Sequence, residues 1–476
     1  MKTCLAIAFL LISTGTTAFA RTRVCAGVMV VPAATTLADD TRYVNSGGCM
    51  IEFRGVGLRD PENSNVQFVG FRPGDVVWTG TQPKVISASM WADEDLSDKL
   101  IKAFAAIRGT GTTITVAPGR FGKPFTIPDG ISVHLTRGRY TNTMNVPDGI
   151  QIYVGSNSTV YGDGMDATII EESSIPGRNG RMIAGTGWKQ GPFAGSNSKI
   201  TLRDFAIVGN SAQKFFDNGP TTIQLGNCID CHALRIRLKD THAYGIFVGG
   251  FHSLGNVARD SSIEYCEFDH VIAQNSGALN GINIRIVHNR YYNLGELAGD
   301  PVANGIYIEP NAADEITQNV VICDNEFDGR GGKAYWNAII VQTGGSNLGI
   351  QGGEICRNKI IGRDAAKGID GSMLNGIAVS GSNDISVHDN LVQGALQSGL
   401  YINKCLRLEV ERNTLYDVAP GGIVAVRVEN TRDSRFVGNS VKKHAAGNDD
   451  RFVELGSSGN NVYSGNTRGA AVLLRG

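Results

Sequence analysis

Glu309 puts a carboxylate in a strand whose neighbours of the same kind carry neutral side chains. It stands in the run "NGIYIEP" (304–310), where Ile306 and Ile308 alternate with Tyr307 and Glu309. Asp300 precedes it and Asp328 follows it. Two carboxyls are what hydrolysis of a glycosidic bond requires, about 5–5.5 Å apart for retention or about 6.5–9.5 Å for inversion. Glu309 with Asp300 or Asp328 would supply them. A β-elimination needs a base near an acidic carbon proton, and cations or a metal to neutralise the adjoining carboxylate. Tyr307, His270, Lys333 and Arg330 are the candidates for that chemistry. Tyr335, Trp336, Gln342 and His242 are candidates for holding the substrate. Aromatic faces beside charged and amide groups suit sugar rings, whose apolar faces stack while their hydroxyls take hydrogen bonds.

A repeat positions these residues. The asparagines Asn289, Asn325, Asn358, Asn390, Asn413, Asn439 and Asn466 recur at intervals of 36, 33, 32, 23, 26 and 27 residues. Ahead of the first six, at one offset, stand Ile286, Ile322, Ile355, Val387, Val410 and Phe436; Tyr463 takes the place in the last copy. Short alternating strands at a period of 20–40 residues indicate a solenoid of stacked coils. The asparagines are then turn residues whose amides bond one another along the axis. On this register Gln342, Ser380 and Asn403 occupy the position of Glu309, so the scaffold does not demand a charge there. Cys323 and Cys356 each stand two residues before a ladder asparagine, which predicts one strand spacing, about 4.8 Å, between them.

Corner lengths locate a groove. Asn390 to Gly399 and Asn413 to Gly422 each take 9 residues, whereas the same corner takes 16 from Asn289 to Gly305, 13 from Asn325 to Ala338 and 18 from Asn358 to Gly376. The opposite corner takes 20 residues from Gly305 to Asn325 and from Ala338 to Asn358, against 14 from Gly376 to Asn390. Only two adjacent coils are walled on both sides, and Glu309 belongs to one of them. Long loops on a rigid scaffold are where function concentrates.

Upstream, "ADEDLSDKLIKAFAAIRGTG" (92–111) reads as an amphipathic helix with Leu96, Leu100, Phe104 and Ile107 on one face. After it come "TTITVAPGRF", "STVYGDGMDATII" and "SKITLRDFAIVGN". This order resembles the pectate-lyase-like superfamily of single-stranded right-handed parallel β-helices, from about residue 90 to 470. The resemblance implies an all-β solenoid with an N-terminal capping helix and carbohydrate-directed activity. It transfers no catalytic residues. The Asp-Asp pairs of this chain lie at its ends, there is no Gly-His-Gly, and Asp300–Pro301 is followed by Val302.

The remaining features set bounds. A formal net charge of −1 gives no sign of a nucleic-acid footprint or a polybasic membrane anchor. Lys2, "LAIAFLLI" and "AFA" read as a secretory signal over 1–20, followed by an extension over 21–90 and a β-helix domain over 91–476. Export places the cysteines after Cys4 where disulfides form, and the lone "CIDC" (228–231) reads as structural. The expected function is a secreted or periplasmic enzyme that cleaves a polysaccharide, as hydrolase or as lyase, with Ca²⁺ if a lyase. A C5-epimerase and a non-catalytic polysaccharide-binding solenoid are the alternatives.

Overall fold

The computed structural model describes residues 85–90, 93–107, 109–144, 150–172, 181–187, 197–209, 221–241, 244–249, 257–271, 274–294, 303–310, 312–329, 336–344, 346, 349–362, 373–419, 424–442, 451–468 and 474–475, with the backbone of short strands between 29 and 78. Its strands assemble as a right-handed parallel β-helix, the handedness that parallel crossovers adopt. One coil runs through a strand Ala303–Ile308, a corner, a strand Thr317–Cys323, a turn at Asp324–Asn325, and a short strand Glu326–Asp328. It then returns to Trp336–Gln342, one rung further along the axis. Strands equivalent to Ala303–Ile308 form a thirteen-stranded sheet, called the floor here, and the other two sides belong to a second continuous sheet. That second sheet already includes Val85–Ser87, paired with Thr113–Thr115 ahead of residue 91.

Period-two alternation decides which residues are inside. Ile246, Ser276, Ile306, Ile339, Ile377, Leu400 and Val426 stack in register on the inner side of the floor. The outer column alternating with it reads Gln224, Phe247, Gly277, Tyr307, Ile340, Ala378, Tyr401 and Arg427. The predicted column of Ile286, Ile322, Ile355, Val387, Val410, Phe436 and Tyr463 is also in register. Tyr463 keeps its place by stacking on Phe436, ring centroids 4.9 Å apart.

The asparagine ladder is continuous. Oδ1 of Asn358 accepts both the backbone N–H and the side-chain amide of Asn325, at 3.0 Å each. Nδ2 of Asn358 donates to the Ile322 carbonyl at 2.8 Å and to Asn390 Oδ1 at 2.9 Å. The same pattern links Asn289 to Asn466. Asn358→Ala would take their Asn358 partner from the buried Asn325 N–H and the Ile322 carbonyl, each costing about 1–3 kcal/mol, and would leave the Asn325 amide with the Ile286 carbonyl alone. The expected result is a loss of at least about 2 kcal/mol in chemical denaturation. Asn466→Ala, on the less buried terminal rung, is expected to cost much less; equal losses would contradict the ladder. A second ladder, not expected, joins Asn304, Asn337 and Asn375 where the floor strands begin.

Cys323 and Cys356 are directly opposite, with Cα atoms 4.6 Å apart, and are bridged. Cys228 and Cys231 form a second disulfide, the structural role expected of that pair. Cys266 and Cys405 are buried free thiols whose pKa values burial pushes up to about 12 and about 11, which leaves them unreactive. Among the described residues, no helix is long and apolar enough to cross a membrane.

Candidate functional site

The corner that follows Glu309 bulges in two coils, 309–316 and 343–349, between tight turns at Asn280 and Gly381. Asn280 Oδ1 accepts the Ile316 N–H at 2.8 Å and so holds the exit of the first bulge. The Ser346 hydroxyl donates to the Glu315 carbonyl at 2.5 Å and ties the second bulge to the first. The unequal corner lengths therefore correspond to a two-coil ledge at the carboxyl end of the floor strands.

Glu309 sits at the foot of that ledge. Its Oε1 accepts from Gln342 Nε2 at 3.0 Å, and the same amide lies 3.4 Å from the Tyr307 hydroxyl. Three residues chosen from sequence are thus in one cluster. Glu309 forms no ion pair among the described residues. Its half-buried carboxyl is raised above the usual range, first by burial; the Gln342 hydrogen bond opposes this and the charge of Glu315 adds to it. Glu315 is only 2% exposed and accepts the Ala312 N–H at 3.1 Å.

Gly344 completes the cradle. Its φ of +50° lies in the left-handed region, and a side chain there would overlap the Glu309 carboxylate. Gly344→Ala should therefore displace Glu309 in addition to the roughly 1 kcal/mol of left-handed strain. Gly349, at φ +71°, has the Gly381 carbonyl and the Thr343 methyl nearby rather than Glu309. Gly349→Ala is the control: both variants should melt slightly lower, and only Gly344→Ala should lose about tenfold or more in turnover. Equal turnover in the two would remove Gly344 from the site.

The other candidates are elsewhere. Asp328 ends the strand Glu326–Asp328, whose Phe327 ring packs beneath Gly305 at the start of a floor strand. About five residues of strand, roughly 17 Å, separate that corner from Glu309, so Asp328 is not its carboxyl partner. His270 is at the same far corner on an earlier coil, with Nδ1 2.8 Å from Asp240 Oδ1. Trp336 opens its strand opposite Ala303, away from Glu309. Asp300, Arg330, Lys333, Tyr335 and His242 lie outside the described residues. Arg285, of uncertain register in sequence, is on the second sheet opposite Val321, with Asn280 as the short turn before its strand.

The neutrality of Glu309's column has an exception one coil beyond those compared. The column reads Glu309, Gln342, Ser380, Asn403 and then Glu429. Sequence reasoning missed this charge, and it missed Glu315 and Gly344 as well. Cys323, Glu354 and Cys356 are the only metal-capable trio that converges among the described residues, and two of its ligands are the sulfurs of a disulfide.

No family model matches the chain, and no curated protein matches it. Solved structures do. The A-module of an Azotobacter vinelandii mannuronan C-5 epimerase is 18% identical, with a TM-score of 0.48 over 79% of this chain and 97% of that one. A hyperthermoactive exopolygalacturonase from Thermotoga maritima is 12% identical, with a TM-score of 0.49 over 80% and 92%. A DFA-IIIase from Arthrobacter chlorophenolicus is 10% identical, with a TM-score of 0.47 over 80% and 94%. At these values the likenesses assign no activity to this chain.

Proposed function

We propose that this chain is an exported glycoside hydrolase that binds a polysaccharide along the floor sheet and uses Glu309 as the proton donor. The observation that supports the reading is the environment of Glu309. It is half-buried, without an ion pair among the described residues, raised in pKa and held by Gln342 beside Tyr307. A carboxyl that holds its proton above the ordinary carboxylate range can deliver it to a leaving glycosidic oxygen. Glu315 is too buried to meet a sugar, and its charge acts by holding the proton on Glu309. For activating water or attacking the sugar a hydrolase needs a second carboxyl, for which the sequence offers Asp300, outside the described residues.

A panel of polysaccharides scored for new reducing ends and for ultraviolet absorbance of unsaturated uronates tests this. Hydrolysis yields reducing ends without absorbance. Absorbance that EDTA abolishes would instead mark a calcium-dependent elimination. Glycan binding with no new ends and unchanged uronate stereochemistry would mark a binding solenoid.

A further inference from the structure

The outer face of the floor differs on the two sides of Glu309. On the preceding coils its outward side chains are covered: Gln224 is 3% exposed and Phe247 4%. The Phe247 ring lies directly over Gly277, whose missing side chain leaves room for it next to Tyr307. On the following coils Ile340, Gln342, Ser380, Tyr401 and Asn403 are half-exposed, and only the small Ala378 between them is buried. Beyond them lies a second polar cluster. There Arg427 Nε donates to Glu429 Oε1 at 2.7 Å, and the Tyr401 hydroxyl donates to Glu429 Oε2 at 3.0 Å. The guanidinium lies 5.4 Å from the centre of the Tyr401 ring. Glu429 is in the same column as Glu309, four strand spacings away, or roughly 19 Å.

We propose that Arg427, Glu429 and Tyr401 form a distal sugar-binding station on a track that begins at Glu309 and runs toward the C-terminal coils. Its ligand is the hydroxyl groups of a sugar several units along the same glycan. Glu429 neutralises Arg427, so the pair does not select an anion. It presents guanidinium N–H donors beside carboxylate acceptors, the complement of neighbouring hydroxyls. The Tyr401 ring is occupied by the guanidinium, so it fixes the arginine rather than stacking on sugar. The covered face before Glu309 gives the track its single direction.

This inference rests on the proposed glycan-directed function but is separable from cleavage, because binding alone reads it. The Glu309→Gln protein is titrated with size-resolved ladders of galacturonan, mannuronan and fructan oligosaccharides. Affinity should rise as one ladder becomes long enough to span from Glu309 to Arg427. Adding Arg427→Ala should remove about tenfold of the affinity for the long members and leave the short ones unchanged. Tyr401→Phe should lose less in the same pattern. A length-dependent gain that survives Arg427→Ala, or affinity independent of length, overturns the station while leaving the hydrolase reading intact. Length-dependent binding without turnover in the wild type supports the station and overturns the hydrolase. Failure of all three ladders to bind overturns both.

Discussion

Glu309→Gln is expected to lower turnover about 10²–10⁴-fold, the usual consequence of removing a general acid–base group, without lowering the melting temperature. The amide keeps the size of the side chain, and Gln342, Ser380 and Asn403 show that this column accepts neutral groups. The stability expectation follows from the raised pKa. A carboxyl whose folded value exceeds its unfolded one favours the fold fully below the unfolded pKa, about 4.3, and that contribution is lost as pH rises through the folded value. Near pH 7 the half-buried carboxyl therefore makes the fold less stable than a neutral side chain would, and glutamine relieves the cost. The melting temperature of the variant should match or exceed wild type at pH 7, and the advantage should vanish below about pH 4. In wild type, the alkaline fall of kcat/KM should come above the ordinary carboxyl range, since it reports the free enzyme's acid. Near-wild-type turnover would reduce Glu309 to a groove residue. A collapsed melting transition would make it structural.

The scaffold was legible because it is repetitive. Each rung of the ladder repeats one physical demand, an amide that accepts two N–H groups and donates to a carbonyl, so Asn289 through Asn466 stand out by spacing alone. Period-two alternation then fixes which residues share a face. This is why Tyr307, Glu309 and Gln342 were placed together and Cys323 was placed against Cys356. The second ladder of Asn304, Asn337 and Asn375 carries the same signal. It was hidden because the loops before it differ in length, and its spacing was read as a corner rather than as a rung.

The site was legible only in part, for the opposite reason: it depends on residues that do not repeat. Glu315 follows Asp314 in an ordinary polar turn, and nothing in "NAADEITQN" announces that its carboxylate is buried against its own loop. Gly344 belongs to a Gly-Gly pair that reads as flexibility, whereas its missing side chain is the space that Glu309 occupies. Asp328 misled because closeness in sequence is a poor guide within a coil. The nineteen residues after Glu309 carry the chain around two faces, to the far corner of the floor. In a solenoid, proximity to Glu309 comes from the same column on adjacent coils.

Deleting residues 90–108 is expected to leave no soluble, cooperatively folding protein. The helix Leu96–Ala106 closes the N-terminal end of the coil stack, where a solenoid otherwise exposes its core and a free strand edge. Leu96, Leu100 and Ala103 are 5%, 0% and 0% exposed, and Phe104 packs toward Phe125 with ring centroids 6.5 Å apart. Asp95 fixes the helix at its start. Its Oδ1 accepts the Ser97 N–H at 2.8 Å as an N-cap and the Gly122 N–H of the first coil at 3.2 Å. The leucines alone contribute about 1.5–3 kcal/mol each by burial. Without the helix, Phe121, Phe125 and Ile127 of the first coil would face water. A graded version separates capping from a general intolerance of truncation: Leu100→Ala should remain soluble and lose about 2–5 kcal/mol, whereas Ile101→Ala, on the exposed side at 40%, should change stability little. Soluble fraction and melting cooperativity of the deletion are the measurements. A deleted protein that stays in solution and melts in one sharp transition would mean that the first coil needs no cap.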